Sequence, residues 1–272
     1  MSSLNTFRTS DGLNINYAVD DFSPPWKPSS TVVMLHAAMG SLERFYAWVP
    51  PVAQKYRVVR WDMRGHGNSD EPQEDLELSI GRLSKDLVEM LDHLELDDAH
   101  IVGSSTGGII AMYAAIQYPE RIRSIASYAA IPGLQQSTDH NDYNDWNHGL
   151  VKEGVRNFLR RTVKQRFHVD QVEPGFVDWF IENSARNDPL FLARFVRMMT
   201  SFDFSDQLPQ IRCPMLAVVP SGDPVHSMEN YETVKAVPGL RDFIVYENMP
   251  HNITDAVPQR CIKDLMPFLD SL

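Results

Sequence analysis

The chain has 272 residues, 43% of them hydrophobic and 10% aromatic, enough for the core of one large α/β domain or of one domain carrying an insertion. Its net charge of −11, with no basic stripe, argues against nucleic acid as a partner and disfavours anionic membranes. No apolar run is long enough to span a bilayer, Met1–Thr6 shows no basic-then-apolar leader pattern, and Cys213 and Cys261 fit no C-x-x-C or metal-ligand spacing, so a soluble cytoplasmic protein with free thiols is expected.

In chain order, Leu13–Val19 alternates polar and apolar residues, as an exposed edge strand does. Asp21–Ser30 carries three prolines and reads as a loop. Thr31–Leu35 is continuously apolar, the pattern of a strand buried on both faces. Leu42–Tyr56 reads as a helix that Pro50-Pro51 must break or kink. Arg57–Trp61 is the next strand and Asp62–Asp70 a tight glycine-containing loop. Ile80, Leu83, Leu87, Met90, Leu91 and Leu94 recur at helical spacing. A strand over Ala99–Val102, a helix from Ile109 and a strand over Ile122–Ala130 continue a βαβ rhythm, which predicts a mainly parallel sheet. That rhythm stops at Pro132. Helical patterns alone run over Leu150–Phe167, Gly175–Asn187 and Leu190–Phe202. The rhythm resumes with strands Met215–Val219 and Phe243–Tyr246 and a closing helix over Ala256–Leu269. The expected organisation is a core of residues 1–132 and 209–272 interrupted by a helical cap at 133–208. The polar stretch Thr138–His148 reads as a solvated loop, since its His and Asp spacing matches no standard metal-ligand pattern.

The chemistry concentrates at Gly103-Ser104-Ser105-Thr106-Gly107-Gly108, between a strand and a helix. Strand, G-x-S-x-G, helix is the context of a nucleophile elbow, in which a strained turn pushes the serine hydroxyl clear of the sheet. A serine hydroxyl needs a base, usually a histidine oriented by a carboxylate. Asp223 follows the strand Met215–Val219 and His251 follows the strand Phe243–Tyr246, which places both at the same sheet edge as Ser105. Each has a plainer reading, Asp223 as a helix cap before Ser227 and His251 as a loop histidine. Order and topology together favour catalysis. His226, close to Asp223 in sequence, is the competing base; His36 and His66 are placed less well. An oxyanion would be met by two backbone N–H groups, that of Thr106 and one from His36-Ala37-Ala38-Met39-Gly40, assigned to Ala38.

These residues, with Asp62-Met63-Arg64-Gly65-His66-Gly67-Asn68-Ser69, Gly222-Asp223-Pro224 and Pro250-His251, resemble the α/β-hydrolase superfamily over nearly the whole chain. The likeness is to its cap-bearing serine esterase and lactonase branch, of the 3-oxoadipate enol-lactonase-like kind. It implies an α/β-hydrolase fold with a helical cap, acyl transfer through Ser105, His251 and Asp223, no metal or organic cofactor, and a small-molecule substrate. A homodimer is compatible with it. Three positions depart from the family pattern: Ala37 where glycine is common, Pro220 before the acid and Pro250 before the histidine. Alternatives stay open. One is a carbon–carbon bond hydrolase of ring-cleavage products, which Asn252 after His251 disfavours but insertion arginines such as Arg160, Arg161, Arg194 and Arg197 allow. A cofactor-free haloperoxidase or perhydrolase side activity, or a ligand receptor on the same scaffold, are others. Among the insertion's apolar residues, Trp146, Trp179, Phe180 and Met198 are taken as substrate contacts, although helical spacing suits core packing equally well.

Overall fold

The computed structural model describes residues 4–137 and 142–272. Its centre is an eight-stranded sheet in the order β1-β2-β4-β3-β5-β6-β7-β8. The strands are β1 (Leu4–Arg8), β2 (Asn14–Asp20), β3 (Thr31–Leu35), β4 (Arg57–Trp61), β5 (Ala99–Ser104), β6 (Ile122–Tyr128), β7 (Met215–Pro220) and β8 (Leu240–Tyr246). From β4 to β8 every pairing is parallel; β2 joins β4, and β1 joins β2, antiparallel. The central parallel strands β3, β5 and β7 are buried along their whole length, because helices cover both sheet faces, whereas β8, at the sheet edge, is only partly buried.

The edge lies elsewhere than the alternation of Leu13–Val19 implies. β1 is the edge, and β2 is an interior strand. The polar side chain that mimics a solvent face, Asn16, is buried and donates Nδ2–H to Asp62 Oδ2 at 2.7 Å. The predicted helix over Leu42–Tyr56 is also revised. A 3₁₀ turn at Leu42–Phe45 is followed by the one-turn helix α1 (Val49–Val52), whose first turn holds Pro50, where a missing N–H costs nothing. The helices α2 (Ile80–His93), capped by the Ser79 hydroxyl on the Arg82 N–H, and α3 (Thr106–Gln117) follow the sequence pattern closely.

Between β6 and β7 the described residues form helices and loops and no strand: α4 (Tyr143–Thr162), α5 (Phe176–Ser184) and α6 (Pro189–Met199). α4 begins earlier than the apolar pattern indicates, because Asp142 caps it by accepting from the N–H groups of Asn144 and Asp145, and it is interrupted at Gly154 (φ 74°, ψ 161°). The Tyr143–His148 part of the polar stretch is therefore helix; its residues 138–141 lie outside the described residues. The chain closes with α7 (Met228–Glu232), α8 (Ile253–Ala256) and α9 (Pro258–Asp270). No described helix is long and apolar enough to cross a membrane.

Polar contacts hold the insertion on the sheet. Buried Arg44 forms an ion pair with Asp255 at 2.9 Å, donates to Asn183 and Ser184 of α5 and stacks on the Phe180 ring, 3.6 Å from its centroid. Asn187 accepts from the Gly67 N–H and donates to the Met39 carbonyl, so one side chain ties the insertion to two core loops.

Candidate active site

The turn between β5 and α3 positions Ser105. Its backbone sits at φ 48°, ψ −115°, a strained conformation for a side-chain-bearing residue. The close packing of the turn holds it there. A Cβ on Gly103 would meet the backbone of Gly107 and Gly108 at 2.4–2.5 Å, and one on Gly107 would meet the Leu35 carbonyl oxygen at 2.2 Å. The start of α3 thus rests directly on β5 and on the end of β3. The Ser105 N–H donates to the Tyr128 carbonyl at 2.7 Å, fixing the turn against β6 as well.

Asp223 and His251 come from loops after β7 and β8, and those loops are bonded to each other. The Gly222 N–H donates to the Met249 carbonyl and the Asn248 N–H to the Ser221 hydroxyl, while Gly222 packs so closely on Asn248 that a Cβ would meet its backbone at 2.8 Å. The result is a continuous chain of hydrogen bonds. Ser105 Oγ lies 2.9 Å from His251 Nε2, and His251 Nδ1 lies 2.7 Å from Asp223 Oδ2. All three side chains are buried. With a proton on Nδ1, His251 donates to the carboxylate and is free to accept from the serine hydroxyl at Nε2.

Asp223 is not a helix cap; that role belongs to Ser227. Its Oδ1 accepts from the Val225 N–H at 2.7 Å, and its Oδ2 accepts from the Tyr231 hydroxyl as well as from His251. Burial works to raise the Asp223 carboxyl. The charge and hydrogen bond of His251, aided by His226 and Tyr231, outweigh burial and hold it below the usual carboxylate value. Tyr231 is a site residue that sequence reasoning misses. His226, the competing base, packs edge-on against His251, ring centroids 5.2 Å apart, and it is His251 that faces the serine.

The loop after β3 approaches the serine from the other side. Ala38 and Thr106 line the same cavity as Ser105 and His251, and neither backbone N–H has a hydrogen-bond partner among the described residues. Ala37, where glycine is common, keeps an ordinary backbone; the positive φ of this loop falls on Met39 instead, at 62°. His36 anchors the loop. It accepts from the Met63 N–H at Nε2 and donates from Nδ1 to the Ala37 carbonyl. Burial lowers its pKa to about 4 and that of its neighbour His66 to about 3, so both rings are neutral structural parts. Asp62 completes the support by accepting from the N–H groups of Leu42 and Asn68.

The cavity over Ser105 is small, about 40 Å³, room for only a few water molecules. Of the four side chains expected at the substrate, Trp146 and Phe180 line it. Trp179 and Met198 lie elsewhere. Adjacent helix positions point about 100° apart, so Trp179, next to Phe180 on α5, faces an outer groove with Tyr46 and Phe176. On α6 the cavity is lined by Phe195, Val196 and Met199 rather than Met198. The insertion arginines read from the sequence are also absent from it. Arg160, Arg161 and Arg197 are exposed, and Arg194 donates to the carbonyls of Pro72, Gln73 and Leu76. The arginine that does line the cavity is Arg166. Lys164-Gln165-Arg166 carries no sequence signal for it, because the segment reads as a solvated helix end.

A mostly parallel sheet with a strained serine turn at the carboxyl end of a central strand defines a class, and residues 30–173 match its family model, the alpha/beta hydrolase fold; the chain belongs to that family. Among curated proteins it is similar to 3-oxoadipate enol-lactonase 1 of Acinetobacter baylyi, 26% identical over 232 residues, covering 83% of this chain and 84% of the relative. It is also similar to a putative 2-succinyl-6-hydroxy-2,4-cyclohexadiene-1-carboxylate synthase of Bacillus subtilis, 34% identical over 126 residues. That match spans 46% of this chain and only 44% of the relative's length. Of solved structures, the enol-lactonase of Burkholderia xenovorans LB400 superposes with a TM-score of 0.85 at 19% identity, covering 98% of this chain and all of the other, a likeness of fold. The chain is a hydrolase-family protein with enol-lactonase relatives.

Proposed function

We propose that this protein is a serine hydrolase that cleaves a small carboxylic ester or lactone through an acyl-enzyme. The observation that carries the reading is the unbroken hydrogen-bond chain from Ser105 Oγ through His251 to Asp223 on a strained turn. In the first half-reaction His251 Nε2 takes the hydroxyl proton as Ser105 Oγ attacks the carbonyl carbon, and Asp223 stabilises the imidazolium. The oxyanion forms between the N–H groups of Thr106 and Ala38, whose lack of internal partners supports this role. Collapse expels the alcohol oxygen, which takes the proton from His251; in a lactone it stays attached as a hydroxyl group. In the second half-reaction His251 takes a proton from water, the hydroxide adds to the acyl carbon, and Ser105 leaves as the alcohol, regaining the proton. These steps use the chain's own groups and water.

The helical insertion serves as the lid that closes this site. Phe180, Phe195 and Trp146 from three of its helices cover the serine, and the small cavity favours short acyl groups. A reducing, cytoplasmic setting agrees with Cys213 and Cys261, which are both free. The reading is tested by turnover of aryl acetates and small lactones by the wild type, Ser105→Ala and His251→Gln. Each substitution is expected to lower kcat by about 10³-fold or more with little change in thermal midpoint. Turnover that survives Ser105→Ala would refute it.

A further inference from the structure

The proposed mechanism uses the backbone of Thr106 and leaves its side chain without a task. Thr106 is 2% exposed and lines the cavity over Ser105. Its hydroxyl has no hydrogen-bond partner among the described residues, and unlike the sealed Nε of Arg166 it retains accessible surface. The other hydroxyls that line this cavity are engaged. That of Ser105 faces His251, that of Tyr143 is bonded to the Ser137 hydroxyl at 3.0 Å, and that of Ser184 accepts from Arg44 at 2.6 Å. Thr106 thus holds a spare donor beside the serine.

Its place in the fold explains why. Buried hydroxyls elsewhere on the helices bond one turn back: Ser84 donates to the Ile80 carbonyl at 2.8 Å and Thr162 to the Phe158 carbonyl at 2.9 Å. Thr106 is the first residue of α3, so no helical turn precedes it to supply such a carbonyl. Side chains on a helix lean toward its N-terminus. At the first position that direction leads off the helix end toward Ser105, which is also where the unpartnered Thr106 N–H points. The tight packing of Gly103 and Gly107 fixes this end of α3 against β5 and β3, so a donor carried there is held in place before any substrate arrives.

We propose that the Thr106 hydroxyl is a third donor to the oxyanion, so that one residue offers both its N–H and its O–H to the developing charge. The proposal rests on the hydrolase reading above and adds a catalytic side chain to it. As Ser105 Oγ adds to the carbonyl carbon, the π electrons of the carbonyl move onto its oxygen. The Thr106 O–H donates a hydrogen bond to that oxygen and keeps its proton. The bond tightens while the oxygen is charged and slackens when the carbonyl re-forms, in acylation and again in deacylation.

The test compares the wild type with Thr106→Val, which keeps the shape without the hydroxyl, and Thr106→Ser, which keeps the hydroxyl. It reads kcat and KM on phenyl acetate and Ki for a short trifluoromethyl ketone, which a serine nucleophile converts to a hemiketal oxyanion. Thr106→Val is expected to lower kcat by about 10- to 100-fold with KM within about twofold, and to raise Ki by a similar factor. Thr106→Ser recovers most of both losses. Wild-type kcat and Ki in Thr106→Val, or a loss carried by KM alone, overturns the proposal and leaves the hydrolase reading standing. So does a Thr106→Ser as impaired as Thr106→Val, since the methyl group would then be what matters. Should Thr106→Val fail to fold, Thr106→Ala against Thr106→Ser makes the same comparison of hydroxyl absent and present. A wild type that turns over neither aryl acetates nor small lactones refutes the hydrolase reading, and the proposal with it.

Discussion

At the scale of single residues, the proposed reacting groups are legible in the sequence and their supports are not. Ser105, Asp223 and His251 stand out because a strand-turn-helix motif and the ends of two later strands fix their places in the topology. Tyr231 and Arg166 do not, since a tyrosine in a short helix and an arginine at a helix end have many plainer uses; only burial and an unmatched or shared hydrogen bond mark them. Tyr231→Phe removes a donor from the buried Asp223 carboxylate. It is expected to cost about 1.5–3 kcal/mol of stability, read from the urea midpoint, and to lower kcat by about tenfold. Unchanged values for both would mean the hydroxyl does not support the acid. The buried histidines give a prediction with a sign. His36 and His66 stay neutral in the folded chain down to about pH 4 and 3. In the unfolded chain both take up protons near their ordinary value of about 6.5, so below that pH the unfolded state binds more protons. Stability is therefore retained above about pH 6.5 and falls as pH drops toward 4, by up to about 1.4 kcal/mol per pH unit for each ring. Urea midpoints at pH 7.5, 6 and 5 should decline in that order; a flat series contradicts the neutral, buried assignment.

At the scale of elements, strands buried on both faces and strongly amphipathic helices announce themselves, as β3, β5 and α2 do. Failures occur where a polar residue is buried or an apolar signal is thin. β1 offers one buried apolar side chain, Phe7, and so leaves no period to read. β2 looks like an edge because Asn16 is polar, yet the bond to Asp62 compensates its burial. The polar first turns of α4 are helical because Asp142 caps them. The β5–α3 junction leaves no such latitude. Gly107→Ala places a methyl group 2.2 Å from the Leu35 carbonyl oxygen, against backbone that cannot yield without separating α3 from the end of β3. We expect a loss of about 3 kcal/mol or more in denaturant unfolding and loss of the proposed hydrolase activity; a stability close to wild type would show that the turn is looser than described.

At the scale of the whole molecule, one sheet edge collects the proposed nucleophile, acid and base, and side chains of the insertion line the cavity beside them. The order of the segments makes that arrangement readable in advance. The space left inside does not follow from the sequence, because it depends on which face of α5 and α6 turns inward. Asn187, joined to both Gly67 and Met39, couples the closure to the loop that carries Ala38. A cavity this small predicts that kcat/KM falls steeply from aryl acetate to butyrate to octanoate; a preference for octanoate would mean that the insertion opens far more widely than it stands here. The central claim is that Ser105 is an activated nucleophile, and intact mass after incubation with a fluorophosphonate tests it most directly. The account predicts one adduct on the wild-type chain and none on Ser105→Ala. An unlabelled wild type, or equal labelling of both, would contradict it.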